Sequence, residues 1–424
     1  MKMNILRCLM VWGGVAAFCL SQIALAIAAE PLLTLESAIK QAKINAPSYQ
    51  AAKAELQIVS GGLEQAKAWQ NPSLDIEAEN FGGSGSFSGT RETEYTYMIS
   101  QPIEIGGKRS ARRKSAESAH KAALVAYKVA EMQLVQAVET AYYQAIADSE
   151  ALALAQQQEA FAKNVLNIVK QKVKAGRESD VQAQKAKVSY QTAILQRYQA
   201  ERKYSLAMLT LKNTMGIEEG VFTPAKPLFF KLEKPRPYGA YHAAIAQSPH
   251  YLKVQELVEA SKYDVAFQKA QNIPDPTLRF GVREFSGPDE HAFVAGVSFP
   301  LPVFNQNGGN IRKAYGAQLL AEQQKRQTAQ SLERKLLTHW QQWQQGAMEA
   351  QQLEQNILPA AKKSAHLAQE SYNNGRFPFI EFLDAQRTYF QTQEQYINAL
   401  SQMHQSRAAV LAIVTPNFEE STHE

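Results

Sequence analysis

The sequence states one pattern twice, about 200 residues apart. Pro47 returns as Pro249, Asn71-Pro72 as Asp275-Pro276, Pro102 as Pro300, and Gly176-Arg177 as Gly375-Arg376. Proline and glycine end or turn regular structure, so repeating them repeats the element boundaries. Each copy reads as a helix, a short strand, a loop, a second short strand, a proline, a very long helix, a Gly-Arg break and another long helix. The 424 residues therefore describe one architecture of two similar halves rather than two or three independent domains.

The boundaries follow from this pattern. Residues 1–28 read as a cleaved secretory signal: Lys2 and Arg7, an apolar run from Leu9 to Leu20, then small residues that allow cleavage after Ala26, Ala28 or Ala29. Cys8 and Cys19 follow Arg7 and Phe18, so no lipid-anchor site is expected. Both lie in the signal, which leaves the mature chain without a disulfide or thiolate metal site. Residues 29–215 form the first structural repeat and 249–414 the second. Between them, residues 216–248 are a connector and equatorial segment marked by Pro224, Pro227, Pro235 and Pro237, and 415–424 are a polar tail. Without Lys2 and Arg7 the 45 basic residues fall to 43 against 40 acidic, a formal charge of +3. Nothing in that balance points to nucleic acid.

From Lys108 to Met215 there is no proline and one glycine, Gly176, so a helical hairpin is expected over 108–215 with a first arm of roughly 100 Å. A second hairpin is expected over 310–414, kinked at Pro359. Leu134, Val138, Tyr142 and Ile146 share one face of the first arm. A narrow apolar stripe among many alanines suits helices packed side by side, not a thick core.

Strands are expected at about 73–81 and 94–103, joined by GGSGSFSGTRET, and at about 277–285 and 291–301, joined by SGPDE. Each approaches the roughly 9 to 11 residues that cross a bilayer when tilted. Leu74, Ile76 and Ala78 alternate with Asp75, Glu77 and Glu79; Tyr95, Tyr97 and Ile99 alternate with Thr96, Met98 and Ser100; Phe293, Ala295, Val297 and Phe299 continue the pattern. One face is ready for lipid and the other for water. Four strands cannot close a barrel, and open edges in hydrocarbon leave backbone groups unpaired at several kcal/mol each. If these strands span a membrane, several chains share one barrel, and three chains give twelve strands.

Three segments carry a family resemblance: ISQPIEIGGKRSARR (99–113), SFPLPVFNQNGGNIRKA (298–314) and YNNGRFPFIEFLDAQR (372–387). With the duplicated layout they resemble the outer-membrane efflux protein family, the TolC-like channels, and within it the CzcC-like heavy-metal branch. The resemblance implies a mainly α fold with a small β part. Two tandem repeats of helix, β-hairpin and long helical hairpin would trimerise into a twelve-stranded outer-membrane barrel continued by a periplasmic helical barrel. It implies an outer-membrane location extending into the periplasm, and docking to a periplasmic membrane-fusion adaptor and an inner-membrane RND pump. The function it implies is a passive exit duct for heavy-metal cations; drugs or organic toxins remain an alternative cargo. A periplasmic adaptor or scaffold is the reading from a different class, and the alternation of two hairpins with two strand pairs disfavours it.

Candidate site residues fall in three groups. Gly176-Arg177 and Gly375-Arg376 are expected as tight helix-ending turns, and in the family such tips meet the adaptor and form the closed entrance. Glu381 and Asp384 share a helical face just past the second tip. By resemblance they form an acidic ring at the entrance, where three copies place six carboxylates; the plainer reading is negative charge at a helix N-terminus. Arg177 and Arg376 are candidate partners for Asp180, Glu381 or Asp384. The cluster Lys108, Arg109, Arg112 and Arg113, with Lys114, opens a helix where positive charge opposes the dipole. A further partner is therefore expected there, either outer-membrane lipid head groups or, more plainly, solvent. Tyr95, Tyr97, Phe293 and Phe299 are candidates for an aromatic girdle.

No two of the eight histidines stand four residues apart, so no metal site or cofactor is read, and any metal selectivity would reside in the pump and adaptor. No nucleophile elbow, phosphate loop or other catalytic motif is present, so no enzymatic activity and no catalytic residue is expected.

Overall fold

The proline-free stretch after Gly107 folds as one uninterrupted helix, α3 (Lys108–Lys174), whose 67 residues span about 100 Å. This computed structural model describes residues 32–287 and 290–414; the expected signal peptide and the polar tail lie outside the described residues. Ahead of α3 come strand β1 (Leu32–Leu33), helices α1 (Leu35–Asn45) and α2 (Pro47–Lys67), and strands β2 (Ser73–Glu79) and β3 (Glu94–Pro102). After it come α4 (Asp180–Met215), β4 (Thr223–Pro224), α5 (Tyr238–Ala244), α6 (Pro249–Ala270), β5 (Thr277–Phe285) and β6 (Glu290–Ser298). Last are α7 (Gly308–Gln352), α8 (Leu358–Asn373) and α9 (Phe379–Leu411). The fold is mainly helical with a small sheet.

Two strands stop earlier than the alternation alone suggests. Asn80 takes a left-handed φ of 57° and ends β2, while Pro300 and Pro302 lack the donor needed to carry β6 further. The expected kink at Pro359 is a π-helical turn at Leu353–Ile357, just before Pro359 enters the first turn of α8. Proline has no N–H for the carbonyl four residues back, and a widened turn absorbs the mismatch. The connector carries structure that composition did not reveal. There β4 pairs in parallel with β1, and the Tyr142 hydroxyl on α3 lies 2.9 Å from the carbonyl oxygens of both Leu33 and Ala225.

The helices are ordered side by side. Near the sheet α3 packs against α2 on one flank and α6 on the other, with α7 beyond α6; farther down it packs against α4 and α9, and α9 against α8. The core is a ribbon rather than a ball. It runs through Ala42, Val138, Tyr142, Ile146, Leu211, Leu336, Leu400 and Met403, with a separate cluster near the far end of the hairpins. His404 stacks on Tyr143 at 4.0 Å between centroids, and its Nε2 lies 2.9 Å from the Phe229 carbonyl.

The sheet follows the same order as the helices, β2-β3-β5-β6, antiparallel throughout. Its register aligns Leu74, Ile99, Phe280 and Ala295 in one row and Ile76, Tyr97, Val282 and Phe293 in the next, all on one face. That face is bare: Leu74 is 66% exposed, Phe280 61% and Phe293 87%. The opposite face is polar. Arg283 bridges Glu94 at 2.8 Å and Glu79 at 3.0 Å and donates to Thr96 at 3.0 Å. Gly281 lets β5 approach β3 closely, since a Cβ there would lie 2.3 Å from the Tyr97 carbonyl oxygen. Among the described residues β2 and β6 each have one unpaired edge.

Candidate functional site

Both hairpins end in the same backbone device. Gly176 and Gly375 take left-handed φ values of 67° and 70°. Each glycine N–H donates three residues back, to Val173 O at 2.9 Å and to Tyr372 O at 3.1 Å. The following arginine N–H donates five residues back, to Lys172 O and to Ser371 O, both at 2.8 Å. This doubly bonded turn satisfies helix-end carbonyls and reverses the chain, and only glycine enters its left-handed position at little cost.

Aromatic packing draws the two tips together. Tyr372 stacks on Phe382 at 5.1 Å with ring planes 2° apart, and Phe379 and Phe161 close around them. From the other hairpin the Lys172 ammonium sits 3.6 Å over the Tyr372 ring and donates to the Tyr372 carbonyl at 3.3 Å. The Tyr372 hydroxyl donates to Glu178 Oε1 at 3.3 Å. Burial, and then the neighbouring Glu178 carboxylate, push the Tyr372 phenol up to about 12. Sequence reasoning passed over Tyr372, Lys172 and Glu178. The available signal was an aromatic at the head of the 372–387 segment, followed by Phe377, Phe379 and Phe382.

Phe379 and Phe382 turn inward and thereby set Glu381 and Asp384 on the exposed side of the first turns of α9. The two are three residues apart on α9, and both are exposed. The pairing expected of the tip arginines is not formed: among the described residues no ion pair joins Arg177 or Arg376 to Asp180, Glu381 or Asp384. Both arginines stand on exposed turns, where water competes for them, and the nearby Glu178 is turned to Tyr372 instead.

Three members of the basic cluster, Lys108, Arg109 and Arg112, find their partners inside the chain and not in the lipid head groups or solvent expected for them. The Lys108 ammonium is buried and pairs with Asp275 at 2.8 Å, while Asp275 also accepts the Ile105 N–H at 2.9 Å. Arg112 pairs with Glu104 and donates to the Ala66 and Ala68 carbonyls, and Arg109 donates to Lys67 O at 2.8 Å with its guanidinium 4.1 Å over Trp69. Lys108, Arg109 and Arg112 thus answer the carbonyl end of α2 and two acids, offsetting the repulsion expected at the start of α3. Arg113, paired with Glu117 one turn on, and Lys114 are the exposed members of the cluster. Of the girdle candidates, Tyr95, Tyr97, Phe293 and Phe299 are all exposed, the first three on the apolar face of the sheet.

Among the described residues no group of three or more His, Cys, Asp or Glu side chains is placed to hold a metal ion, and no helix is long and apolar enough to cross a membrane. The arrangement is therefore a bare apolar sheet face over a polar one, a ~100 Å helical stalk, and two matched turns at its far end.

Comparison with known proteins places this geometry. The model of the family described as "Outer membrane efflux protein" matches residues 38–217 and 240–414. The cobalt-zinc-cadmium resistance protein CzcC of Cupriavidus metallidurans is 28% identical over 379 residues, covering 89% of each chain. The nickel-cobalt-cadmium resistance protein NccC of Alcaligenes xylosoxydans xylosoxydans is 26% identical over 276 residues, 65% of this chain and 62% of that protein. Among solved structures, a crystal structure of CusC superimposes with a TM-score of 0.76 at 15% identity, covering 90% of this chain and 92% of that one; its likeness is one of fold.

Proposed function

The chain belongs to the outer membrane efflux protein family, whose members are outer-membrane channels rather than enzymes, and from that premise we propose that it is a homotrimeric exit duct for heavy-metal cations. Channels of this family work with a periplasmic adaptor and an inner-membrane pump, and the duct itself is passive. The observation that carries the trimer is the position of the bare apolar surface. Exposed apolar side chains recur from the sheet down the stalk, and among the described residues the two outer strands of the sheet each keep an unpaired edge. In the sheet they cover one face of all four strands (Leu74, Ile99, Phe280, Phe293); near the sheet they include Leu319 and Leu320 on α7; lower down they include Val181, Val188, Leu195 and Leu209 on α4, at steps of seven, seven and fourteen residues. An apolar sheet face whose two outer strands are unpaired calls for copies of the same chain on both sides. A heptad stripe on α4 is the pattern by which long helices pack across such a seam.

The cation cargo draws on two supports. CzcC and NccC are named for resistance to divalent metals, and the exposed Glu381–Asp384 pair would place six carboxylates at the narrow end of a trimer, a ring that attracts cations and repels anions. The adaptor would seat on the outer faces of the tips around Gly176-Arg177 and Gly375-Arg376. Arg113, with the girdle residues, would hold the barrel at its lipid boundary.

The test is a deletion strain carrying the wild-type gene on a plasmid or an empty plasmid, plated on zinc, cobalt, cadmium and nickel salts and on dyes and detergents. Loss of metal tolerance alone, restored by the gene, is the expected result. Normal metal tolerance with lost dye tolerance would move the cargo to organic toxins.

A further inference from the structure

One face of the first hairpin carries a row of cations that the chain leaves unpaired. Lys163, Lys170 and Lys174 lie seven and four residues apart on α3, hence on one helical face, and all three are exposed. The row climbs about 16 Å along the helix axis. Arg177 continues it at the turn. Among the described residues none of the four has an ion-pair or hydrogen-bond partner for its side-chain cation. Lys172, by contrast, points away to the Tyr372 ring.

Helix-end electrostatics account for only part of the row. A cation in the last turn complements the helix dipole, which covers Lys174, but that effect dies away before Lys163 is reached. The duplicated hairpin shows that the turn does not require it. There the matching positions are Lys362, Gln369 and Asn373, and α8 has no basic residue in its last turn. On the return arms Lys185 stands where α9 has Asp384, and Lys187 where it has Gln386. The two tips keep one backbone and carry different charge.

The position of α3 narrows what the row can meet. Within its own chain α3 is flanked by α4 on one side and α9 on the other, so a neighbouring copy abuts α4 or α8 and not this face. A membrane surface would meet the end of the stalk at Arg177, whereas the row runs up the side of the helix, parallel to its axis. A partner that lies alongside α3 for three turns is itself elongated.

We propose that the Lys163–Lys170–Lys174 face of α3, continued by Arg177, docks an acidic helix of a periplasmic partner, one with carboxylates recurring at three-, four- or seven-residue spacing. The inference rests on the reading that the tips meet a partner, and it adds that partner's chemistry. Charges on such a rim govern encounter rate and salt dependence, and discriminate against partners of the wrong sign. Reading one tip by charge also lets a partner distinguish the first hairpin from the second, which share the same turn.

The test uses the full-length protein purified in detergent and two fluorescent helical peptides of equal length, one with Glu and one with Lys at i, i+4, i+7 and i+11, together with phosphatidylglycerol vesicles. The acidic peptide should bind at least tenfold tighter than the basic one and weaken about tenfold between 50 and 300 mM salt. It should also weaken about tenfold in K163E/K170E/K174E while K362E leaves it unchanged. In cells the triple variant should reach the outer membrane as wild type, conduct in planar bilayers as wild type, and lose export. Equal binding of the two peptides, an unaffected triple variant, or binding to the vesicles alone would overturn the proposal. Failure of the wild-type protein itself to conduct would instead count against the duct.

Discussion

Tyr372 and Glu178 join the two hairpins at their tips: the phenol of one donates to the carboxylate of the other at 3.3 Å, across 194 residues of sequence. Beneath that contact Lys172 holds the same ring through its face and its carbonyl. The tips are thus fastened to each other by one residue of the second hairpin and two of the first. In a duct whose entrance is made of these tips, this contact opposes their separation. Replacing Tyr372 by Phe removes the donor and keeps the stacking on Phe382. The expected outcome is a several-fold rise in conductance of the resting duct in planar bilayers, with the amount of assembled protein unchanged.

Glu381 and Asp384 are predicted to set ion preference at the entrance. In E381Q/D384N the reversal potential in a potassium chloride gradient should move toward zero, because six fixed charges are removed from the constriction. An unchanged reversal potential would leave the pair with the plainer role of complementing the α9 N-terminus.

Lys108 is buried, with Asp275 as its ion partner. Replacing Asp275 by Ala leaves an ammonium without its counter-charge in a closed environment, at a cost of about 3 to 5 kcal/mol. The thermal midpoint of D275A should fall well below that of R113A, whose side chain is exposed. Circular dichroism melting of the two variants in the same detergent checks this.

Two glycines of neighbouring strands should respond oppositely to the same change. A methyl group at Gly281 meets the Tyr97 carbonyl at 2.3 Å, whereas one at Gly296 meets nothing within 4 Å. G281A is expected to abolish heat-resistant assembly on gels, and G296A to keep it.

His404 makes stability fall on the acid side. Burial pushes its imidazole below the ordinary value, its Nε2 faces the Phe229 carbonyl, and its Nδ1 is buried without a hydrogen-bond partner. Above pH ~6.5 the ring is neutral in both folded and unfolded chains and costs nothing. As pH drops below that value the unfolded chain takes up a proton first, so stability declines, by up to about 1.4 kcal/mol per pH unit for one proton. Of the charged groups around the ring, Glu233 opposes this shift and Arg407 reinforces it. The thermal midpoint measured from pH 7 to pH 5 should fall more steeply for wild type than for H404N.

What the sequence made legible was punctuation and period. Gly176 and Gly375 end helices because the left-handed position admits little else, and alternation in Leu74–Glu79 and Tyr95–Ser100 became the two faces of the sheet. Contacts between distant segments were not legible. The start of α3 looked like five solvated or lipid-facing cations, because Asp275 and the end of α2 approach it only once the chain is folded. The same holds for Tyr142, which reads as one more residue of an apolar stripe until β1 and β4 bring two carbonyls to its hydroxyl. The Lys172 and Tyr372 positions were hidden for a different reason: neither residue type is unusual near a helix end, and only their juxtaposition gives them a role.

Closure of one barrel by three copies is tested most directly by covalent capture of the seam between β2 and β6. Three strand spacings separate these edges within a chain, about 14 Å, well beyond the ~7 Å limit for a disulfide. Any bond between them is therefore intermolecular. The expected mature chain has no cysteine of its own, so pairs are introduced one on β2 and one on β6 across all registers, and outer membranes are oxidised and run on denaturing gels. The account predicts that one register, and its neighbours at two-residue steps, yields a ladder that ends at three chains. A protein that reaches the outer membrane yet forms no linked species at any register would contradict it.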